Sequence, residues 1–174
     1  MAPESADPRS IRSIAVTASD VVAAFEANRE GGPRTVLRVT PPFSGMMRAR
    51  LHRLVDDRGD AETEDTDPGH AGTRDADPGD VGTGDERTGP EPVHVDPADL
   101  LSDAVPPYPH PDETEEALRA DPEASYTPER HHERHQQAVE DWRERARANL
   151  ADAVTVQTPD GPHEVEVTVL GGRR

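Results

Sequence analysis

Apolar and polar positions alternate in two separated stretches of the chain, and each stretch reads as a β-hairpin. In the first, Thr35-Val36-Leu37-Arg38-Val39-Thr40 is rich in β-branched residues. Pro41-Pro42-Phe43-Ser44-Gly45 makes the connection, and Met47 to Arg53 alternates with period two. That period places Met47, Ala49 and Leu51 on one face and Arg48, Arg50 and His52 on the other. In the second, Val154-Thr155-Val156 is predicted to pair with Val165 to Leu170 across Pro159-Asp160-Gly161-Pro162. Val165, Val167 and Val169 alternate there with Glu166 and Thr168, the pattern of a strand buried on one side.

Between and around the hairpins the period changes. Residues 11–17 suit a short strand. A helix follows, with Thr17 and Asp20 as a capping box, Ser19 as a competing N-cap, and Val21, Val22 and Phe25 as its narrow apolar face. Gly31-Gly32-Pro33 ends it. Val93-His94-Val95 is a short strand candidate, and Asp96-Pro97 opens a helical turn with Asp at the N-cap and Pro in the first position. Residues 106–111, with four prolines, are biased toward polyproline II, and a short acidic helix is predicted over 113–120. The longest helix is predicted over 128–151, capped by Thr127, with an apolar stripe of Ala138, Val139, Trp142, Ala146 and Leu150. Together these elements predict an α+β fold: an antiparallel sheet built from two hairpins, packed against one long helix and one or two short ones.

Composition divides this picture into segments. The 174 residues carry 36 acids and 19 basic residues, all arginine, for a net charge of -17. Residues 56–92 account for -10 of that charge, with 7 glycines, 4 prolines and Val81 as their only large aliphatic. Such a stretch cannot bury enough apolar surface to offset an ordering entropy of roughly 1–2 kcal/mol per residue. It is expected to be a disordered acidic insert. Within it, Asp67 to Asp75 recurs as Asp77 to Asp85, a repeat that reads as low complexity rather than a calcium-binding turn. The expected organisation is a flexible tail over 1–10, two halves of one domain at 11–55 and 93–174, and the insert between them.

Charge and cysteine content remove whole classes of function. Without cysteine there is no disulfide framework, thiolate zinc site or thiol nucleophile. No apolar run approaches the roughly 18 residues of a membrane span, and the acidic N-terminus is not a secretory signal. The expectation is a cytoplasmic protein without membrane association. Many aspartates with no lysine suit multimolar salt, where a Debye length of about 3 Å or less screens self-repulsion. The charge then reports on solvent and not on a basic partner.

Two groups of residues carry candidate chemistry. His131 and His135 lie one turn apart on the long helix, a spacing that suits two imidazoles on one metal, with His110, His52 or an acid to complete the set. The zinc-protease pattern itself fails, because Glu133 follows His132, whose partner four residues on is Gln136. The stripe 131, 135, 139, 142 and 146 instead favours histidines that pack and hydrogen-bond at the edge of the core. The second group is Arg38, Arg48 and Arg50, with Arg53 nearby, on the hairpin of the one segment with positive net charge. Such a ribbon is either an exposed face that pairs with acids of the same chain or one that binds an anion, a partner protein or a nucleic-acid groove. Nucleic acid is disfavoured: about four phosphate contacts would lose roughly 10⁴ in affinity over a fifteen-fold rise in salt. Phe43, at the Pro41–Gly45 turn, is a candidate partner contact, against the alternative that it folds back onto the core. No phosphate loop, dinucleotide fingerprint, EF-hand or nucleophile elbow is present, and no cofactor is expected.

Residues 11–51, His94-Val95-Asp96-Pro97, Pro106-Pro107-Tyr108-Pro109, Tyr126 to His131, Trp142-Arg143 and His163 to Val167 resemble a conserved, uncharacterised family of haloarchaeal proteins. The resemblance implies a source and a compartment and brings no catalytic residue with it. The expected function is that of a small interaction or regulatory protein without catalytic activity. The alternatives are a metal-binding protein or metal-dependent enzyme using His131 and His135, and a nucleic-acid binder using the arginine hairpin.

Overall fold

The computed structural model describes residues 5–54 and 89–171. The insert expected over 56–92, with its repeat, falls outside the described residues except for its last four positions. The elements in chain order are β1 (Ser13–Thr17), α1 (Ala18–Arg29), β2 (Thr35–Val39), β3 (Met46–Arg48), β4 (Arg50–Arg53), β5 (Val93–Val95), α2 (Pro111–Ala120), α3 (Pro128–Ala148), β6 (Ala153–Thr158) and β7 (Gly161–Leu170). The fold is α+β.

Among the described residues, seven strands form two sheets rather than one. The first has the order β3-β1-β7-β6 and the second the order β4-β2-β5. Both hairpins pair antiparallel, Thr35 with Arg53 through Arg38 with Arg50, and Ala153 with Glu166 through Thr158 with Gly161. The second hairpin is longer than its valine pattern suggested, closing on Gly161, whose φ of 116° suits a residue without a side chain. The first sheet is mixed, because β1 runs parallel to both β3 and β7.

The stretch Met47 to Arg53, predicted as one strand, is divided between two. It bends at Ala49, which is 1% exposed and whose N–H donates to the Ala15 carbonyl at 3.0 Å. Before the bend the chain belongs to the first sheet, after it to the second; such a bend lets one strand serve two stacked sheets. Their inner faces meet in one cluster, with Ile14, Val16, Val154, Val156 and Val165 on one side and Leu37, Val39, Val93 and Val95 on the other. Val21 and Ala24 of α1 join it. The Asn28 side chain ties α1 to β2, donating to the Thr35 carbonyl at 2.9 Å and accepting from the Thr35 N–H at 2.6 Å.

Three expectations are corrected. Phe43 is not a surface contact. It is fully buried in the core, and its backbone exchanges two 2.8 Å hydrogen bonds with Ser5. Burying a phenyl ring contributes roughly 1.5–3 kcal/mol, which an exposed turn would forfeit. That pairing also ties down most of the expected N-terminal tail: Pro8 is buried and Asp7 caps a short turn over Pro8–Ser10. The capping box of α1 is not made, since the Thr17 hydroxyl is buried without a partner.

The helices form a second, smaller cluster. Trp142 and Ala146 of α3 pack on Val22 and Phe25 of α1 and on Tyr108 of the proline-rich segment. The Trp142 indole donates to the Pro106 carbonyl at 2.8 Å, and the Tyr108 hydroxyl donates to Glu26 at 3.0 Å. Arg143 donates to the same Glu26 carboxylate at 2.9 Å. α2 begins at Pro111, earlier than predicted, with the His110 ring accepting from the Asp112 N–H at 3.4 Å.

Candidate functional site: the arginine–histidine sheet face

Strand register decides which basic residues meet. Arg38, in the middle of β2, stands directly opposite Arg50 on β4 and His94 on β5. His52 lies two residues beyond Arg50 and so shares its face. The other face of the same three strands carries Leu37, Val39, Val93 and Val95 into the core. The set Arg38, Arg50, His52 and His94 is therefore directed outward. Val36, opposite His52, shares this face and is 2% exposed.

Of the predicted arginines, Arg38 and Arg50 are brought together and Arg48 is not. Arg48 precedes the bend at Ala49 and pairs with Ala15 in the other sheet. Arg53 is opposite Thr35, an odd step from the Arg38–Arg50 pair, so it is on the other face of the strand, where it is exposed. His94 is a functional candidate that the sequence reading placed on a strand without naming as a site residue. The signal was present: His94 stands between two valines that both go inward. Its neighbour was hidden, because β5 pairs with β2 across a long stretch of intervening chain.

The electrostatics of the face are lopsided. Arg38 Nη1 lies 3.3 Å from His52 Nε2. A guanidinium only donates, so His52 Nε2 is the acceptor of this contact. Arg38 Nε is buried and has no partner, a shortfall that costs about 1–3 kcal/mol for such a group. The rings of His52 and His94 lie nearly parallel with centroids 6.2 Å apart. Partial desolvation lowers the His94 pKa below the ordinary 6.5, and the charges of Arg38, His52 and Arg34 lower it further; Glu91 opposes them. Arg34 itself is paired with Asp96 at 3.1 Å. Among the described residues, neither Arg38 nor Arg50 has a carboxylate partner.

The histidines of α3 are arranged differently. His131 Nε2 is 3.0 Å from the Pro111 carbonyl and 3.1 Å from the Thr114 hydroxyl, while His135 Nδ1 is 3.3 Å from that hydroxyl. A carbonyl brings no proton, so His131 Nε2 is the donor to it. The two rings are 6.4 Å apart and tilted, with Tyr126 6.3 Å from His131. Burial lowers the His135 pKa, and the neighbouring His131, His110 and His132 add to the effect. His110 faces its own helix, with its ring against the Asp112 carboxylate at 3.5 Å. Among the described residues no three histidines, aspartates or glutamates gather around a common point suited to a metal. The pair joins the start of α2 to α3 through Thr114.

Set against known proteins, the chain matches a family model described as a domain of unknown function (DUF8009) over residues 1–171. No curated protein and no solved structure matches it. No described helix is long and apolar enough to cross a membrane.

Proposed function

The chain belongs to that family, and from this premise we propose that it is a small, non-catalytic interaction or regulatory protein that engages an anionic partner through the sheet face of Arg38, Arg50, His52 and His94. One observation carries the reading: Arg38 and Arg50 stand directly opposite one another with no carboxylate between them among the described residues. Like charges in opposed positions destabilise a sheet. Two opposed cations with no carboxylate partner among the described residues form a surface that an external anion can complete.

The composition supports a cytoplasmic setting at multimolar salt, in a haloarchaeal host. Under such screening the cost of opposed arginines in the unbound protein is small. Binding then rests on short, directional hydrogen bonds more than on long-range attraction.

Affinity capture at native salt tests the proposal, with the wild-type chain beside Arg50→Glu. A stoichiometric partner retained by the wild type and lost by the variant is the expected result. The same retained set on both baits, or substrate turnover in an activity screen, overturns it.

A further inference from the structure

The sheet face has a charge count that selects among anions. We infer that its ligand is a phosphate monoester, bound as a dianion between Arg38 and Arg50 with His52 and His94 donating from the sides. The inference rests on the proposed role of this face and adds the chemistry of what it holds.

Two groups on the face carry a fixed charge. Arg38 and Arg50 are cationic in all ordinary conditions. His52 accepts from Arg38 through its Nε2. Burial lowers the His94 pKa, Arg38, His52 and Arg34 add to the effect, and Glu91 opposes it. The face therefore presents two fixed positive charges and two imidazole rings that can donate through nitrogen. A carboxylate or a phosphodiester brings one negative charge and leaves one arginine uncompensated. A phosphate monoester brings close to two, with three strong acceptor oxygens. Its tetrahedral oxygens can take guanidinium donors from two opposed strands at once, the geometry in which arginine outperforms lysine.

The guanidinium of Arg38 is held for that task. His52 Nε2 fixes its Nη1 at 3.3 Å, and its Nε lacks an acceptor. An oxyanion at the adjacent Nη2 edge would supply that acceptor. Of the carboxylates around the face, Asp96 is bound to Arg34, and Glu91 acts on His94.

Imidazole resonances of His52 and His94, followed by NMR in the full chain, read binding directly. The probes are methyl phosphate, dimethyl phosphate and acetate, at the salt concentration that keeps the chain folded. We expect methyl phosphate to shift both rings along a saturable curve in the millimolar range or tighter, and to bind about tenfold more tightly than dimethyl phosphate or acetate. Arg50→Gln, at an exposed position, should weaken methyl phosphate by about tenfold with the rest of the spectrum unchanged. A phosphoserine peptide beside its unphosphorylated form separates two sources. Tighter binding than methyl phosphate indicates a phosphorylated protein, and equal binding indicates a small phosphate ester. Equal response to all three small anions, no saturable shift, or no effect of Arg50→Gln overturns the inference. If capture of a partner still depends on Arg50 in that case, the anionic-partner reading stands while the phosphate assignment falls.

Discussion

Arg38 and Arg50 hold directly opposed positions on antiparallel β2 and β4, two permanent positive charges on one face of a small sheet. The arrangement should cost stability in the unbound protein. Replacing Arg50 with threonine, a good strand former, removes the repulsion without disturbing the buried side. Arg50→Thr is expected to raise stability by about 0.2–1 kcal/mol at low salt and by less at high salt. Urea unfolding at two salt concentrations measures both. A variant less stable than the wild type at low salt would mean that the opposed pair is not a liability.

The two lowered imidazoles give stability a pH dependence of known sign. His94 and His135 both have pKa values below the ordinary 6.5 in the folded chain. Between the folded value and 6.5 the unfolded chain binds more protons, so stability rises with pH there. Their contribution is complete above 6.5 and is lost as pH falls through the folded values. Carboxylates titrate mostly lower, near 4. The urea midpoint should therefore fall between about pH 7.5 and pH 5.5, and the slope should flatten in His94→Gln/His135→Gln. An unchanged slope in the double variant would refute this assignment.

The bend at Ala49 and the ring of Phe43 carry the join between the sheets. Phe43→Ala should cost about 3–5 kcal/mol, as for other large deletions in a core. Ala49→Leu adds volume at a position 1% exposed, where the chain passes from one sheet to the other, and should cost about 1–3 kcal/mol. Thermal or urea unfolding reads both. A Phe43→Ala variant as stable as the wild type would return this residue to the surface.

Thr114 links α2 to α3 through a single hydroxyl. Thr114→Val keeps the shape and removes the contacts to His131 and His135. The expected loss is about 0.5–1.5 kcal/mol. Long-range ¹⁵N spectra should show the His131 proton on Nε2 in the wild type, as the contact with the Pro111 carbonyl requires. A His131 tautomer protonated on Nδ1 alone would contradict the geometry, and stoichiometric zinc in untagged protein would restore the metal-binding alternative.

Local chemistry was legible in the chain. The period-two runs gave both hairpins, because the side chains of a strand alternate across its faces whatever it pairs with. Thr127-Pro128 gave the start of α3, since an N-cap and a first-turn proline act within one turn. The stripe through His131, His135, Val139, Trp142 and Ala146 followed from helical period, and these positions are more buried than their neighbours. The α1 capping box misled, because burial of the Thr17 side chain overrode a local preference.

Neighbours distant in sequence were decided by the tertiary structure alone. Periodicity tells which face Arg48, Arg50 and His52 share only while the strand stays straight. The bend at Ala49 sends Arg48 to one sheet and Arg50 to the other, and the close packing of the two sheets sets that bend. Phe43 is buried because Ser5 and the core close over the turn. His94 joins Arg38 because β5 returns to β2 after the long stretch that follows β4. The sequence determined a segmented acidic chain with two hairpins, a long helix and an arginine-bearing strand pair. Long-range packing and strand register, which no short window encodes, decided which of those arginines face one another and that histidines stand beside them.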